Sequence, residues 1–109
     1  MLTLKKHELN GHDVFEFMQG QLNSSHWLDS SIYVTEEVLA ETELGEVLAN
    51  SLVNFNYYGP TEVKRVEWES IKQIVLSSKS ATTRQLLIEI DEWANDCFKN
   101  NPCFTICGI

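Results

Sequence analysis

Cys103-Phe-Thr-Ile-Cys-Gly-Ile109 decides the fold. Phe104 and Ile106 fall on one side of an extended segment, and Cys103, Thr105 and Cys107 fall on the other. That two-residue period is the signature of a β-strand. A strand cannot satisfy its backbone alone, so a sheet must exist elsewhere in the chain. Immediately before it, Leu86, Leu87, Ile90, Trp93, Ala94, Cys97 and Phe98 share one helical stripe. Arg84, Glu92, Asn95, Asp96 and Lys99 lie outside that stripe, and Asn100-Asn101-Pro102 ends the helix. A strong helix next to a strong strand makes the fold α+β. The expectation is three to four helices packed on a small, mainly antiparallel sheet that includes the C-terminal strand. The 109 residues suffice for one domain, residues 1–109.

Working back toward the N-terminus, Ser77 to Ser80 reads as a loop, and Trp68, Ile71 and Val75 mark another helix face. Thr61 to Val66 starts a strand or leads straight into that helix. Asn54-Phe-Asn-Tyr-Tyr-Gly-Pro60 is a turn, because Gly59 and Pro60 both interrupt regular structure. Upstream of it, Leu44, Val47, Leu48, Leu52 and Phe55 lie on one helix face. Thr35 is the natural N-cap, and Glu36 and Glu37 sit in the first turn, where the helix dipole favours acids. In a continuous helix Glu41 would point to the apolar side, and Gly45 would be an awkward interior residue. A break or kink near Ala40 to Gly45 is therefore expected, with two helices joined by a short link as the alternative. Ile32-Tyr33-Val34 is a short strand or a lead-in, and His26 to Ser31 is a loop. Val14, Phe15, Met18 and Leu22 recur at helical spacing, predicting a helix from His12 to Leu22 stopped by Asn23-Ser24-Ser25. Leu2 to His7 alternates weakly as a first strand, ended near Asn10-Gly11.

Apolar residues make up 43% and charged residues 22%, an ordinary globular balance. No apolar run is long enough to cross a bilayer, and Met1-Leu-Thr-Leu-Lys-Lys lacks the apolar stretch of a secretory signal. Three cysteines, Cys97, Cys103 and Cys107, form no disulfide framework and read as small buried apolar groups. Together these point to the cytoplasm.

The charge of −8 is unevenly spread. From His7 to Val63 there is no Lys or Arg, while ten acids occur, so that stretch carries −10. The remainder has eight bases against six acids, or +2. Acidity by itself can serve solubility. Segregated acidity goes further: it repels nucleic acid and anionic membranes and draws in a basic protein through a faster on-rate.

No reactive constellation stands out. Cys103 and Cys107 on a strand would be about 13 Å apart, too far to hold one ion, and His7, His12 and His26 lack ligand spacing. Ser24, Ser25, His26 and Asp29 are loop neighbours rather than a converging triad. No carboxylate pair has an apolar setting, and the five glycines are scattered singly, so no phosphate loop forms. The expectation is a protein that is not an enzyme, with no cofactor or metal, no nucleic-acid or membrane partner and no small-molecule ligand. Trp68 and Trp93 lie on core stripes. Trp27 either packs over the core or anchors an interface.

Two stretches carry a resemblance: Phe55-Asn-Tyr-Tyr-Gly-Pro-Thr61 followed by Trp68, and Asp91-Glu-Trp-Ala94 followed by Cys103 to Ile109. In these the chain resembles small immunity proteins encoded beside bacterial polymorphic or contact-dependent growth-inhibition toxins. The resemblance implies a cytoplasmic antitoxin that binds a cognate toxin domain and blocks its active site; such toxins are often nucleases with basic clefts. The expected contact face is Glu36, Glu37, Glu41, Glu43 and Glu46, with Trp27 and Asp29 beside them. The alternative is a non-catalytic adaptor or regulatory module that uses an apolar patch.

Overall fold

In the computed structural model, which describes residues 1–11, 13–22 and 26–108, the strand at the C-terminus is present and lies inside the sheet. The strands are β1 (Val14–Gln19), β2 (Ile32–Thr35), β3 (Pro60–Lys64) and β4 (Cys103–Cys107). They form one antiparallel sheet in the order β2-β1-β4-β3. The helices are α1 (Glu36–Glu41), α2 (Leu44–Ser51), α3 (Arg65–Ser78) and α4 (Ala81–Phe98). The fold is α+β, with four α-helices among the described residues.

Register sets the core face. Phe17 pairs with Ile32 on one side and Ile106 on the other, Phe15 pairs with Val34, and Val63 pairs with Phe104. Directly opposed residues share a face. These side chains join Leu44, Val47 and Leu48 of α2, Trp68, Ile71 and Val75 of α3, and the α4 stripe in one cluster. Trp68 and Trp93 are core residues, as their stripes predict. Their indole N–H groups donate to Asp91 Oδ1 and to the Ser30 carbonyl, both at 2.9 Å.

The predicted helix from His12 to Leu22 is wrong: Val14–Gln19 is the strand β1. Five consecutive residues, Val14 to Met18, are buried because both sheet faces are covered there. A strand buried on both faces loses its alternation and can imitate helical spacing. Leu22, counted in the supposed stripe, is 49% exposed. His12, and the stop at Asn23-Ser24-Ser25, lie outside the described residues. Leu2 to His7 is no full strand either. Leu4 makes a single bridge to Tyr33, and Lys6–Glu8 is a 3-10 turn. The expected loop from Ser77 is shorter than read, since α3 runs to Ser78.

Residues 26–31 pack on the second sheet face, where Trp27 stacks on Tyr33 and the Trp27 and Leu28 N–H groups reach Glu16; Gly20 leaves β1 on the way to them. Gly20 holds φ 76°, a conformation strained for any side chain, and a Cβ there would come 2.8 Å from Asn101 Oδ1, which would have to shift. Thr105 Oγ1 donates to the Gly20 carbonyl at 2.8 Å.

The N-terminal segment is tied down by one buried carboxylate. Glu89 on α4 accepts from the Leu2 and Thr3 backbone N–H groups and from Thr3 Oγ1, each at 2.9 Å, and from Gln85 Nε2 at 3.0 Å. Burial pushes its pKa up, but the donors from Thr3, Gln85 and Leu2 outweigh it, and the net shift is below the ordinary 4.5. A depressed carboxylate stabilises the fold above its unfolded pKa and loses that contribution as pH falls through the folded one. Unfolding free energy is therefore expected to decline on acidification below about 4.5. The acid limb should be flatter in Glu89→Gln. Urea midpoints across that range check it, and an unchanged limb would refute the role.

Candidate interaction face

The face is carried by α1, and its start follows from local chemistry. Thr35 caps α1, with Val38 N–H donating to Thr35 Oγ1 at 3.1 Å. The Glu36 N–H donates to the Asp13 carbonyl at 2.9 Å, which fixes the helix to the beginning of β1. Glu36 and Glu37 occupy the first turn.

The expected break falls at Thr42 and Glu43, between α1 and α2. Thr42 Oγ1 donates to the Leu39 carbonyl at 3.3 Å. Glu43 pins the elbow to the start of α4. Its N–H donates to Thr83 Oγ1 at 3.0 Å, and its carboxylate accepts from the Ser80 N–H at 2.8 Å. The Ser80 hydrogen bonds hold the Glu43 pKa below its ordinary value. At the elbow Gly45 passes close to Leu39, where a Cβ would meet Leu39 Cγ at 3.3 Å. The break also removes the conflict over Glu41, which is exposed rather than turned to the core.

The acids therefore divide by environment. Glu36, Glu37, Glu41 and Glu46 are exposed, and among the described residues none forms an ion pair with Lys or Arg. Glu43 is committed internally. Glu16, one of the ten acids of the cationless stretch, is not on the surface: its side chain is 5% exposed. It accepts from the Trp27 and Leu28 N–H groups at 3.0 Å and from Ser31 Oγ at 2.7 Å.

Trp27 and Asp29 belong to a different layer from α1. Trp27 is half-buried, holds φ 60°, and stacks on Tyr33 with ring centroids 5.9 Å apart. Asp29 is exposed, 4.0 Å from Lys6 Nζ. Both sit on the segment that packs over the second sheet face.

Two concavities flank α1 and share Glu36 and Ala40. The first, about 530 Å³, lies between α1 and the N-terminal segment and adds the carboxylates of Glu8 and Asp13 to those of Glu36 and Glu37. The second, about 470 Å³, lies between α1, α2 and the turn before β3. Leu39, Ala40, Ala49 and Phe55 make it apolar, and Glu36, Glu46 and Tyr57 stand at its edge. Burial and the nearby Glu36 charge raise the Tyr57 pKa. Glu8, Asp13, Ala40, Phe55 and Tyr57 are absent from the face read in sequence. Nothing local marks them, since segments far apart in the chain bring them together.

The remaining chemistry is quiet. All three thiols are buried; burial first, then Glu16, pushes Cys107 up to about 11. A thiol held protonated is a poor nucleophile. Among the described residues no three His, Cys, Asp or Glu side chains converge as a metal site. Ser24 and Ser25 lie outside the described residues; His26 Nδ1 is 3.8 Å from Glu16 Oε1. No helix among the described residues is long and apolar enough to cross a membrane.

No family model matches the chain, and no characterised protein or solved structure matches it.

Proposed function

We propose that this chain is a non-enzymatic binding protein that captures a basic protein on the α1 face. One observation carries the reading: Glu36, Glu37, Glu41 and Glu46 are exposed, all but Glu41 line two concavities, and none has a Lys or Arg paired to it among the described residues. Acids concentrated without counter-charges repel each other and work against folding. A partner that brings cations relieves that repulsion and forms charge-assisted hydrogen bonds. The resemblance makes the partner a cognate toxin domain, possessing a basic substrate cleft that the acidic face fills. The chain is then a cytoplasmic immunity protein. Glu43 drops out of the contact set because its carboxylate is hydrogen-bonded within the fold, and Trp27 and Asp29 are peripheral.

The test is association with the toxic domain encoded by a neighbouring reading frame. Glu36→Lys with Glu37→Lys is expected to slow association roughly 10- to 100-fold at low ionic strength, with only a modest drop in the unfolding midpoint from placing two cations at the start of α1. Stopped-flow rates over a salt series measure it. Rates that ignore both the reversal and salt sink the acidic-face reading. They would favour an adaptor that docks through apolar side chains, for which Ile74, Leu76 and Ile88 are exposed on α3 and α4.

A further inference from the structure

The concavity between α1, α2 and the turn before β3 differs in kind from the acidic cleft across α1. Its lining is mainly small or apolar, with two carboxylates, Glu36 and Glu46, among the lining residues. Ala40 and Ala49 leave it open where longer side chains would fill it, and Leu39 and Phe55 form its apolar lining. Glu36 and Glu46 flank it, both exposed. Tyr57 is 38% exposed, and its ring lies edge-on to Phe15 at 5.2 Å and to Tyr58 at 5.0 Å.

We propose that this groove receives an arginine side chain of the basic partner. The inference rests on reading the α1 face as the site for such a partner, and it names the side chain that face selects. Three arguments choose arginine. An apolar side chain would cover the groove but strip water from two carboxylates without replacing it. A lysine ammonium is a compact, strongly hydrated charge, ill suited to apolar walls. A guanidinium is weakly hydrated, planar and able to stack on an aromatic ring while it pairs with carboxylates in a fork. Its aliphatic stem matches Ala40, Ala49 and Leu39; its head matches Tyr57, Glu36 and Glu46.

The experiment titrates the full chain at low salt with capped Gly-Arg-Gly and capped Gly-Lys-Gly, followed by proton–nitrogen correlation spectra. Arginine is expected to move the amides of Ala40, Gly45 and Ala49 in a saturable way, with lysine at least about tenfold weaker there. Ala49→Leu fills the groove without touching a charge and should abolish the arginine effect. Glu46→Gln, which leaves the groove open, should weaken it and serves if Ala49→Leu disturbs the fold. Equal responses to the two peptides in the groove overturn the proposal, as does an arginine response that survives both variants. Salt-sensitive shifts confined to the cleft of Glu8, Asp13 and Glu37 overturn the groove alone and leave the acidic face standing. No shift anywhere on the face with either peptide counts against both.

Discussion

Glu16→Ala is expected to lower folding stability by about 3–5 kcal/mol, a large loss for a surface-distant acid. The carboxylate sits on β1, facing the second side of the sheet, and works as a clamp. Oε1 takes the Trp27 N–H; Oε2 takes the Leu28 N–H, Ser31 Oγ and, at 3.4 Å, the Tyr33 hydroxyl. Removing it takes an acceptor from the part-buried Trp27 and Leu28 N–H groups and from the buried Ser31 hydroxyl, while the Tyr33 hydroxyl keeps the Leu28 carbonyl at 2.8 Å; a buried donor left unsatisfied costs on the order of 1–3 kcal/mol. The chain can escape part of that cost by letting residues 26–31 lift into water. It would then expose Met18, Tyr33 and Thr105, which are fully buried. Either route is destabilising. Glu16→Gln should lose less, because one oxygen remains, but its amide NH2 then faces donors. Denaturant midpoints measure the loss, and hydrogen exchange at the Trp27 and Leu28 amides shows whether the segment lifts. A loss below about 1 kcal/mol would mean the clamp is dispensable. Partner association should persist in the folded fraction, since Glu16 lies across the sheet from the helix layer.

Phe104→Ala is expected to cost about 3–5 kcal/mol as well, through a cavity rather than orphaned donors. Phe104 lies at the middle of the aromatic core. Its ring centroid is 5.4 Å from those of both Trp68 and Trp93, 5.7 Å from Phe98 and 6.0 Å from Phe17. The two tryptophans meet it edge-on, an arrangement worth roughly 0.5–1.5 kcal/mol per pair beyond area burial. These neighbours come from β1, α3 and α4, so the core around Phe104 joins the sheet to two helices. Rings held by backbone elements cannot collapse easily into the gap, which keeps the cavity term large. Phe104→Leu keeps much of the volume and should lose clearly less. Thermal or urea unfolding of the pair decides it. Equal losses for alanine and leucine would show that volume is not what Phe104 supplies.

These two residues illustrate how far the sequence could be read. Phe104 was legible: its alternation with Ile106 marked a strand, and the strand required a sheet. The α4 stripe, the Thr35 cap and the break between Ala40 and Gly45 were legible for the same reason. Each depends on neighbours within a few residues. The break was even demanded twice, by Gly45 and by the misplaced Glu41. Glu16 was not legible. In sequence it is one acid of ten, between two phenylalanines, and the strand around it reads as a helix.

The sequence by itself determined an α+β chain with a C-terminal strand, a helix capped by Thr35 and an excess of acid confined to one half. Only the tertiary structure decided which acids are available to a partner. Glu16 is taken by residues 26–31, and Glu43 by Ser80 and Thr83. Glu36 and Glu46 are exposed, line a groove and form no ion pair with Lys or Arg among the described residues. Whether a carboxylate faces water or a ring of donors depends on segments far away in the chain, such as Ser80 brought to Glu43. Local periodicity carries no record of such a meeting, so a charge count can locate an acidic half but cannot outline a surface.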